Sequence, residues 1–249
     1  MRAHPALKPI FLSLVASLCL AACGGAPAYM RDACLSADDT ECRDARLQRP
    51  KNPDLTTGRA VYPRTLKQTI ADMRRRDASL PRQITFLVDK SDRTLTVKLG
   101  DTKVREYGVS LGGAPVGHKQ RSGDSKTPEG TYYVGWRRTA ERGQTSYHRS
   151  LLISYPQVAD GERALKAGLI TKRQFNKIKR AQQRCTVPPQ RTYLGGLVLI
   201  HGGGGGPGQI DWTLGCVALN DSDVRELYSV AKTGCWRGQI PKTKLVIQP

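Results

Sequence analysis

At residue 84 the hydrophobic pattern of the chain changes to a period of two, and this limits the possible folds more than any other feature. Ile84, Thr85, Phe86, Leu87 and Val88 form a β-branched and aromatic run, after which Leu95, Val97 and Leu99 alternate with Thr94, Thr96 and Lys98. Gly100 and Asp101 mark a turn, and Tyr107, Val109 and Leu111 alternate again beyond it. Alternation places successive side chains on opposite faces of a strand, so these runs predict a β-hairpin at the start of an antiparallel sheet. Further strands are predicted over residues 131–136, 150–155, 197–200 and 244–247. Two helices interrupt them. Thr171 with Gln174 forms a capping-box signal for a helix carrying Phe175, Ile178 and Ala181, whose other face is basic: Lys172, Arg173, Lys177, Lys179 and Arg180. The second follows residues 220–222, with Val224, Leu227, Tyr228 and Ala231 at helical spacing and Gly234 as its stop. A short helix over 65–76, with Leu66, Ile70 and Met73 on one face, precedes the sheet. The fold class is mainly β with a few helices, an α+β arrangement. The basic helix reads as a lid or as a solvated face, and the pattern does not separate the two.

The chain has 249 residues, a formal net charge of +19 and 39% hydrophobic residues. That is enough for one substantial core, and the apolar content excludes disorder throughout. The charge points to anionic surroundings: nucleic acid, membrane headgroups or an acidic cell-wall polymer. The N-terminus chooses among them. Arg2 and Lys8 precede an apolar run over residues 10–20, whose last residue opens Leu20-Ala21-Ala22-Cys23. A basic start, a short apolar segment and small residues before a cleavage point make an export signal. The last four residues resemble a bacterial lipobox, whose cysteine becomes the lipidated first residue of the mature protein. The expected organisation is a signal peptide over 1–22, a polar tether over 23–64 anchored through Cys23, a helical lead-in over 65–81 and a folded domain over 82–249. The expected location is the periplasmic side of the cell envelope, anchored to a membrane. Acidic envelope polymer, rather than nucleic acid, then becomes the expected counterpart of the basic surface.

Export gives the cysteines meaning. Outside the signal and Cys23 there remain Cys34, Cys42, Cys185, Cys216 and Cys235, an odd number in an oxidising compartment. The simplest assignment pairs Cys34 with Cys42 and Cys185 with Cys235, leaving Cys216 unpaired. Other connectivities stay open.

The chemistry is concentrated between residues 200 and 220. A predicted strand ends at His201-Gly202, a glycine run continues to Gly206, and Asp211-Trp212-Thr213-Leu214-Gly215-Cys216-Val217-Ala218 follows. A histidine at a strand end and a Gly-Cys before the next apolar segment supply a base and a nucleophile. A nearby imidazole stabilises a thiolate. Gly215 gives the backbone freedom to turn its own amide and those of Leu214 and Cys216 toward an oxyanion.

These residues resemble the YkuD-type L,D-transpeptidase catalytic domain. That family carries His-Gly at a strand end and then Ser/Thr-His-Gly-Cys-Val/Ile-Arg, matched here by His201-Gly202 and by Thr213-Leu214-Gly215-Cys216-Val217-Ala218. An upstream Thr-Pro-x-Gly appears as Thr127-Pro128-Glu129-Gly130, so the resemblance covers about residues 82 to 248. It implies a YkuD-like β-sandwich, Cys216 as nucleophile, His201 as general base, and peptidoglycan stem peptides as substrate. Gly202, Trp212 and Thr213 become candidate substrate contacts. Two departures stand out: Leu214 replaces the family's histidine and Ala218 its arginine. Trp-Thr-x-Gly-Cys, together with Ser150 to Pro156, is similar to a subgroup that includes enzymes detaching proteins from peptidoglycan, so a hydrolase stands beside the transpeptidase. A non-catalytic wall-binding lipoprotein is a further alternative.

No cofactor is expected. The glycine run lacks a following Lys-Ser/Thr for phosphate. His201, Cys185, Cys216 and Cys235 lack paired metal-ligand spacing, so no metal is expected. His118 and His148, among basic residues in loops, are expected to be exposed.

Overall fold

The computed structural model describes residues 62–204 and 211–249. The signal segment, Cys23, Cys34, Cys42 and most of the tether lie outside the described residues. Among the described residues the strands are β1 (Ile84–Asp89), β2 (Thr94–Leu99), β3 (Thr102–Gly108), β4 (Gly130–Thr139), β5 (Arg149–Ile153), β6 (Leu199–His201), β7 (Val217–Ala218) and β8 (Thr243–Gln248). The helices are α1 (Leu66–Arg76), α2 (Val158–Lys166), α3 (Lys172–Arg184) and α4 (Asp221–Val230). The strand order is β3-β2-β1-β8-β4-β5-β6-β7.

The alternating runs pair as their period requires. Phe86 lies opposite Val97, Val88 opposite Leu95, and Leu95 opposite Tyr107. Phe86, Val88, Leu95, Val97 and Leu99 are fully buried, so one face of this meander forms much of the core. The last strand, β8, enters between β1 and β4, parallel to β1 and antiparallel to β4. β4 then changes partners: residues 130–133 pair with β8, and from Val134 onward it pairs with β5, with a register shift between Val134 and Arg137. Such a bulge bends one long strand from one sheet into the next, as layered β folds require. Beyond β3 the chain reaches the far end of the strand order, where Ser110 and Ala218 exchange backbone hydrogen bonds of 3.0 and 2.8 Å.

Helix α1 begins with a reciprocal Thr65–Gln68 capping box and buries Leu66 and Ile70. Buried Arg105 of β3 holds it, donating to the Arg64 carbonyl at 2.7 Å and to Glu226 of α4 at 2.6 Å. Helix α3 carries the same kind of box at Thr171–Gln174 and buries Phe175, Ile178 and Ala181. Its cations Lys172, Arg173, Lys177, Lys179 and Arg180 are exposed.

The structure departs from the sequence-based expectations at four places. Helix α2 was not anticipated, because its buried residues are Asp160, Gly161 and Ala164 and give no hydrophobic period. Helix α4 ends at Ala231, which turns to extended geometry, so Gly234 does not stop it. Leu197 adopts a left-handed φ of 54° and β6 starts only at Leu199. His118 and His148 are half-buried and bonded, not exposed. The Nδ1 of His118 accepts from the Glu129 N–H at 2.9 Å, which leaves its Nε2 to donate to Asp160 at 2.6 Å. His148 Nε2 accepts from Arg225 Nε at 3.2 Å.

A disulfide joins Cys185, at the end of α3, to Cys235 across 50 residues of sequence, and the enclosed loop contains both His201 and Cys216. Closing a loop of that length removes chain entropy from the unfolded state worth about 4 kcal/mol. The double substitution Cys185→Ser/Cys235→Ser is therefore expected to lower unfolding stability by about 4 kcal/mol in denaturant titration, with a steeper denaturant slope because the freed unfolded chain exposes more surface.

Candidate active site

Strands β6 and β7 run parallel, with Ile200 opposite Val217 and His201 opposite Ala218. Opposed residues share a face, and the period of two returns to that face one step earlier, at Leu199 and Cys216. The two short strands thus bring His201 and Cys216 to one side of the sheet. Cys216 is the one free cysteine among the described residues.

His201 is fully buried. Its Nδ1 lies 2.5 Å from the Gly202 carbonyl. A carbonyl oxygen only accepts, so Nδ1 carries the proton, and in the neutral ring Nε2 keeps its lone pair. Nε2 has no hydrogen-bond partner among the described residues. The Tyr147 ring stacks on the imidazole with centroids 3.7 Å apart and planes 19° apart, and the Trp212 ring meets it edge-on at 5.9 Å. Burial pulls the His201 pKa down to about 4, against weaker support for the charged form from the Gly202 carbonyl and Asp221.

The Cys216 sulfur accepts from the Leu199 N–H at 3.4 Å and faces the Leu197 carbonyl at 3.7 Å. The residue is half-buried. Burial pushes the thiol up to about 11, while the Leu199 N–H and the Lys119 ammonium favour the thiolate. At neutral pH both groups are therefore uncharged in this conformation, and the imidazole is available as a base.

That depressed histidine has a consequence for stability. The unfolded chain takes up this proton near pH 6.5, the folded protein only near 4, so stability falls as pH drops through that window. Between pH 7 and pH 5 the loss from this group is about 2 kcal/mol. His201→Gln is expected to remove that part of the pH dependence, which denaturant titrations of both proteins at the two pH values would read directly.

The turn carrying Cys216 is closed by Thr213. Its hydroxyl donates to the Cys216 carbonyl at 2.7 Å and accepts from the Gly215 N–H at 3.1 Å. This corrects one expectation, the use of the Gly215 amide as an oxyanion donor. The Gly215 amide is already engaged, which leaves the Leu214 and Cys216 N–H groups, without partners among the described residues, as the candidate oxyanion donors. The Thr213 side chain is used within its own turn, which it holds closed. Gly202 likewise acts through its carbonyl on His201, and a Cβ there would lie 2.1 Å from Asp221 Oδ1. Trp212 remains half-buried beside the imidazole.

The Thr-Pro-x-Gly segment packs against this turn. Thr127 Oγ1 accepts from the Gly112 N–H at 3.0 Å. Buried Lys90 fixes the segment, donating to the Gly117 carbonyl at 2.7 Å and to Glu129 at 2.6 Å. Gly215 has a φ of 122°, and a Cβ there would lie 2.5 Å from the Lys126 carbonyl oxygen. The two motifs, distant in sequence, are one packed unit.

The profile of the YkuD L,D-transpeptidase catalytic domain matches residues 83–247. The chain belongs to this family. Among solved structures, it is similar to the helical cell shape determining protein Pgp2 from Campylobacter jejuni, at 23% identity and a TM-score of 0.42, covering 66% of this chain and 47% of that one. It is also similar to Bd1075 from Bdellovibrio bacteriovorus, at 20% identity and a TM-score of 0.41, covering 69% and 49%. For an L,D-transpeptidase from Mycobacterium smegmatis the values are 12% identity and a TM-score of 0.36, covering 67% and 58%. The chain thus spans about half the length of the first two and somewhat more of the third. Among curated proteins no relative matches in sequence.

Measured against the YkuD pattern, Leu214 and Ala218 still stand where the family has histidine and arginine. Ala218 is fully buried in β7, its backbone bonded to Ser110. Tyr147 and Lys119 were not singled out by the sequence. Both sit in loops without hydrophobic period, and only the fold brings them to the site.

Proposed function

We propose that this protein is an exported, lipid-anchored L,D-transpeptidase of the Trp-Thr-x-Gly-Cys variant, with Cys216 as nucleophile and His201 as general base. One observation carries the reading. The Gly202 carbonyl fixes His201 in the tautomer whose Nε2 is basic, on the face of the sheet that also carries Cys216 and the unpaired amides of its turn. In the reaction, Nε2 takes the thiol proton as sulfur attacks the stem-peptide carbonyl, with the oxyanion received by the Leu214 and Cys216 N–H groups. The C–N bond then breaks, the departing D-residue amine takes the proton from His201, and a thioester remains on Cys216. An amine of a neighbouring stem attacks the thioester, forms the new amide and returns the thiol. Anchoring through Cys23 would hold the enzyme at the membrane on the periplasmic side, facing its polymer.

Hydrolysis is the second reading, because Leu214 and Ala218 leave the motif without the charged side chains that could hold an acceptor. Incubation of the full-length protein with isolated peptidoglycan fragments, followed by mass spectrometry, distinguishes the readings. Cross-linked or D-amino-acid-exchanged products support the transpeptidase. Only shortened or detached peptides would move the assignment to a hydrolase, and no product from any fragment would favour a non-catalytic wall-binding lipoprotein.

A further inference from the structure

A buried ion pair lies behind the Cys216 turn. The Lys119 side chain is only 3% exposed and its Nζ donates to Asp124 Oδ1 at 2.7 Å. Asp124 also accepts from the backbone N–H groups of Gln120, Arg121 and Lys126 at 2.6, 3.0 and 3.1 Å, which fixes the loop that presents the lysine. Burial alone would raise the Asp124 carboxyl, but Lys119 and the Arg121 and Gln120 N–H groups outweigh it and hold it below the usual range. Two glycines border the lysine, at ordinary contact distance. A Cβ on Gly195 would lie 3.5 Å from Lys119 Cε, and a Cβ on Gly215 would lie 3.6 Å from Lys119 Nζ. Asp124 is the only hydrogen-bond partner of that ammonium among the described residues, so two of its three N–H donors are not committed.

Burying an ammonium is costly unless its charge is used or fully compensated, and an apolar pair of similar volume would fill the same space. Here the charge is placed beside the glycine that separates Leu214 from Cys216, in a turn where the YkuD pattern's histidine and arginine are replaced by Leu214 and Ala218. Lys119 acts on the Cys216 sulfur in the direction that favours thiolate. Asp124 is bound to its own loop, and the lysine it holds has its ammonium 3.6 Å from where a Cβ on Gly215 would stand, next to Cys216 in the chain.

We propose that Lys119 is a charge-supplying positioning residue of this site, its ammonium stabilising the negative charge that develops on Cys216 and on the oxyanion held by the turn. The inference rests on the reading of Cys216 as nucleophile. It assigns a function to the loop before Thr-Pro-x-Gly that neither the strand pattern nor the Gly-Cys motif supplies. Lys119 acts electrostatically from behind the turn, and Asp124 aims it.

The test is the rate at which iodoacetamide alkylates Cys216 in the full-length protein at about pH 8, with the modified peptide identified by mass spectrometry and folding followed by circular dichroism. Lys119→Met is expected to slow alkylation about tenfold, the effect of a one-unit rise in the thiol pKa. Lys119→Arg keeps the charge and is expected to stay within about threefold of wild type. Asp124→Asn, which removes the opposing charge and keeps an acceptor for the loop, is expected to react at least as fast as wild type. A pair with only a structural role would move both single variants in the same direction. Unchanged or faster alkylation in folded Lys119→Met, or slowing in Asp124→Asn, would overturn the proposal. If Lys119→Met does not fold, the Asp124→Asn and Lys119→Arg rates still decide it. Because the assay needs no peptidoglycan, it separates this inference from the transpeptidase reading, which fails instead on inert fragments.

Discussion

Cys216→Ala is expected to abolish turnover of stem peptides, by at least about a thousandfold, because it removes the one free thiol among the described residues. The described cysteines other than Cys216 are joined to each other, so neither Cys185 nor Cys235 can substitute for it. The fold should survive. Removing one sulfur from a half-buried position deletes few contacts, and the turn is held by the Thr213 hydroxyl, which bonds the Cys216 carbonyl and the Gly215 N–H rather than the thiol. A stability change of no more than about 1 kcal/mol is therefore expected. Product analysis and a denaturation curve on the same sample check both halves, and full turnover by the variant would show that the sulfur is not the nucleophile.

Gly215→Ala is expected to damage both stability and activity. Its φ of 122° lies where a side chain is strained, and a Cβ would meet the Lys126 carbonyl oxygen at 2.5 Å, closer than such atoms approach. The neighbouring backbone cannot easily yield: Ser125 and Lys126 belong to the loop fixed by Asp124, and a Cβ on Gly112 would in turn meet the Ser125 carbonyl at 2.1 Å. Strain at one such residue costs about 1–3 kcal/mol before the contact is counted. Relief requires the turn to shift, which moves the Leu214 and Cys216 N–H groups away from the oxyanion position. Loss of one donor of this kind costs about a hundredfold to a thousandfold in rate. The expected variant is folded but less stable, with activity reduced at least about a hundredfold. Wild-type activity in this variant would show that the turn geometry does not matter to the reaction.

The contrast between what could be read in the sequence and what could not follows physical lines. Strands β1, β2 and β3 were legible because one face of each is buried, and a two-residue period records that directly. Helix α3 was legible through its capping box and its Phe175, Ile178, Ala181 stripe. Helix α2 left no such record, since it buries Asp160 as a hydrogen-bonding hub and Gly161 against the Phe175 ring. At the site, His201 and Cys216 stood out because a strand-end histidine and a Gly-Cys turn are local signals. The tautomer of His201 depended on a carbonyl and the use of Thr213 on a hydroxyl already bonded within its own turn. Neither is written in residue identity. Lys119 is one basic residue in a chain with 40 Lys and Arg, and only its burial, Asp124 and the two glycines beside it set it apart.

The most direct measurement is the intact mass of the full-length protein after brief exposure to a disaccharide tetrapeptide, with the site of any adduct located by peptide mapping. A thioester on Cys216, adding the mass of the whole disaccharide fragment minus the released D-amino acid and absent in Cys216→Ala, is the predicted result. Product formation with no adduct on Cys216, or an adduct that persists in Cys216→Ala, would contradict it.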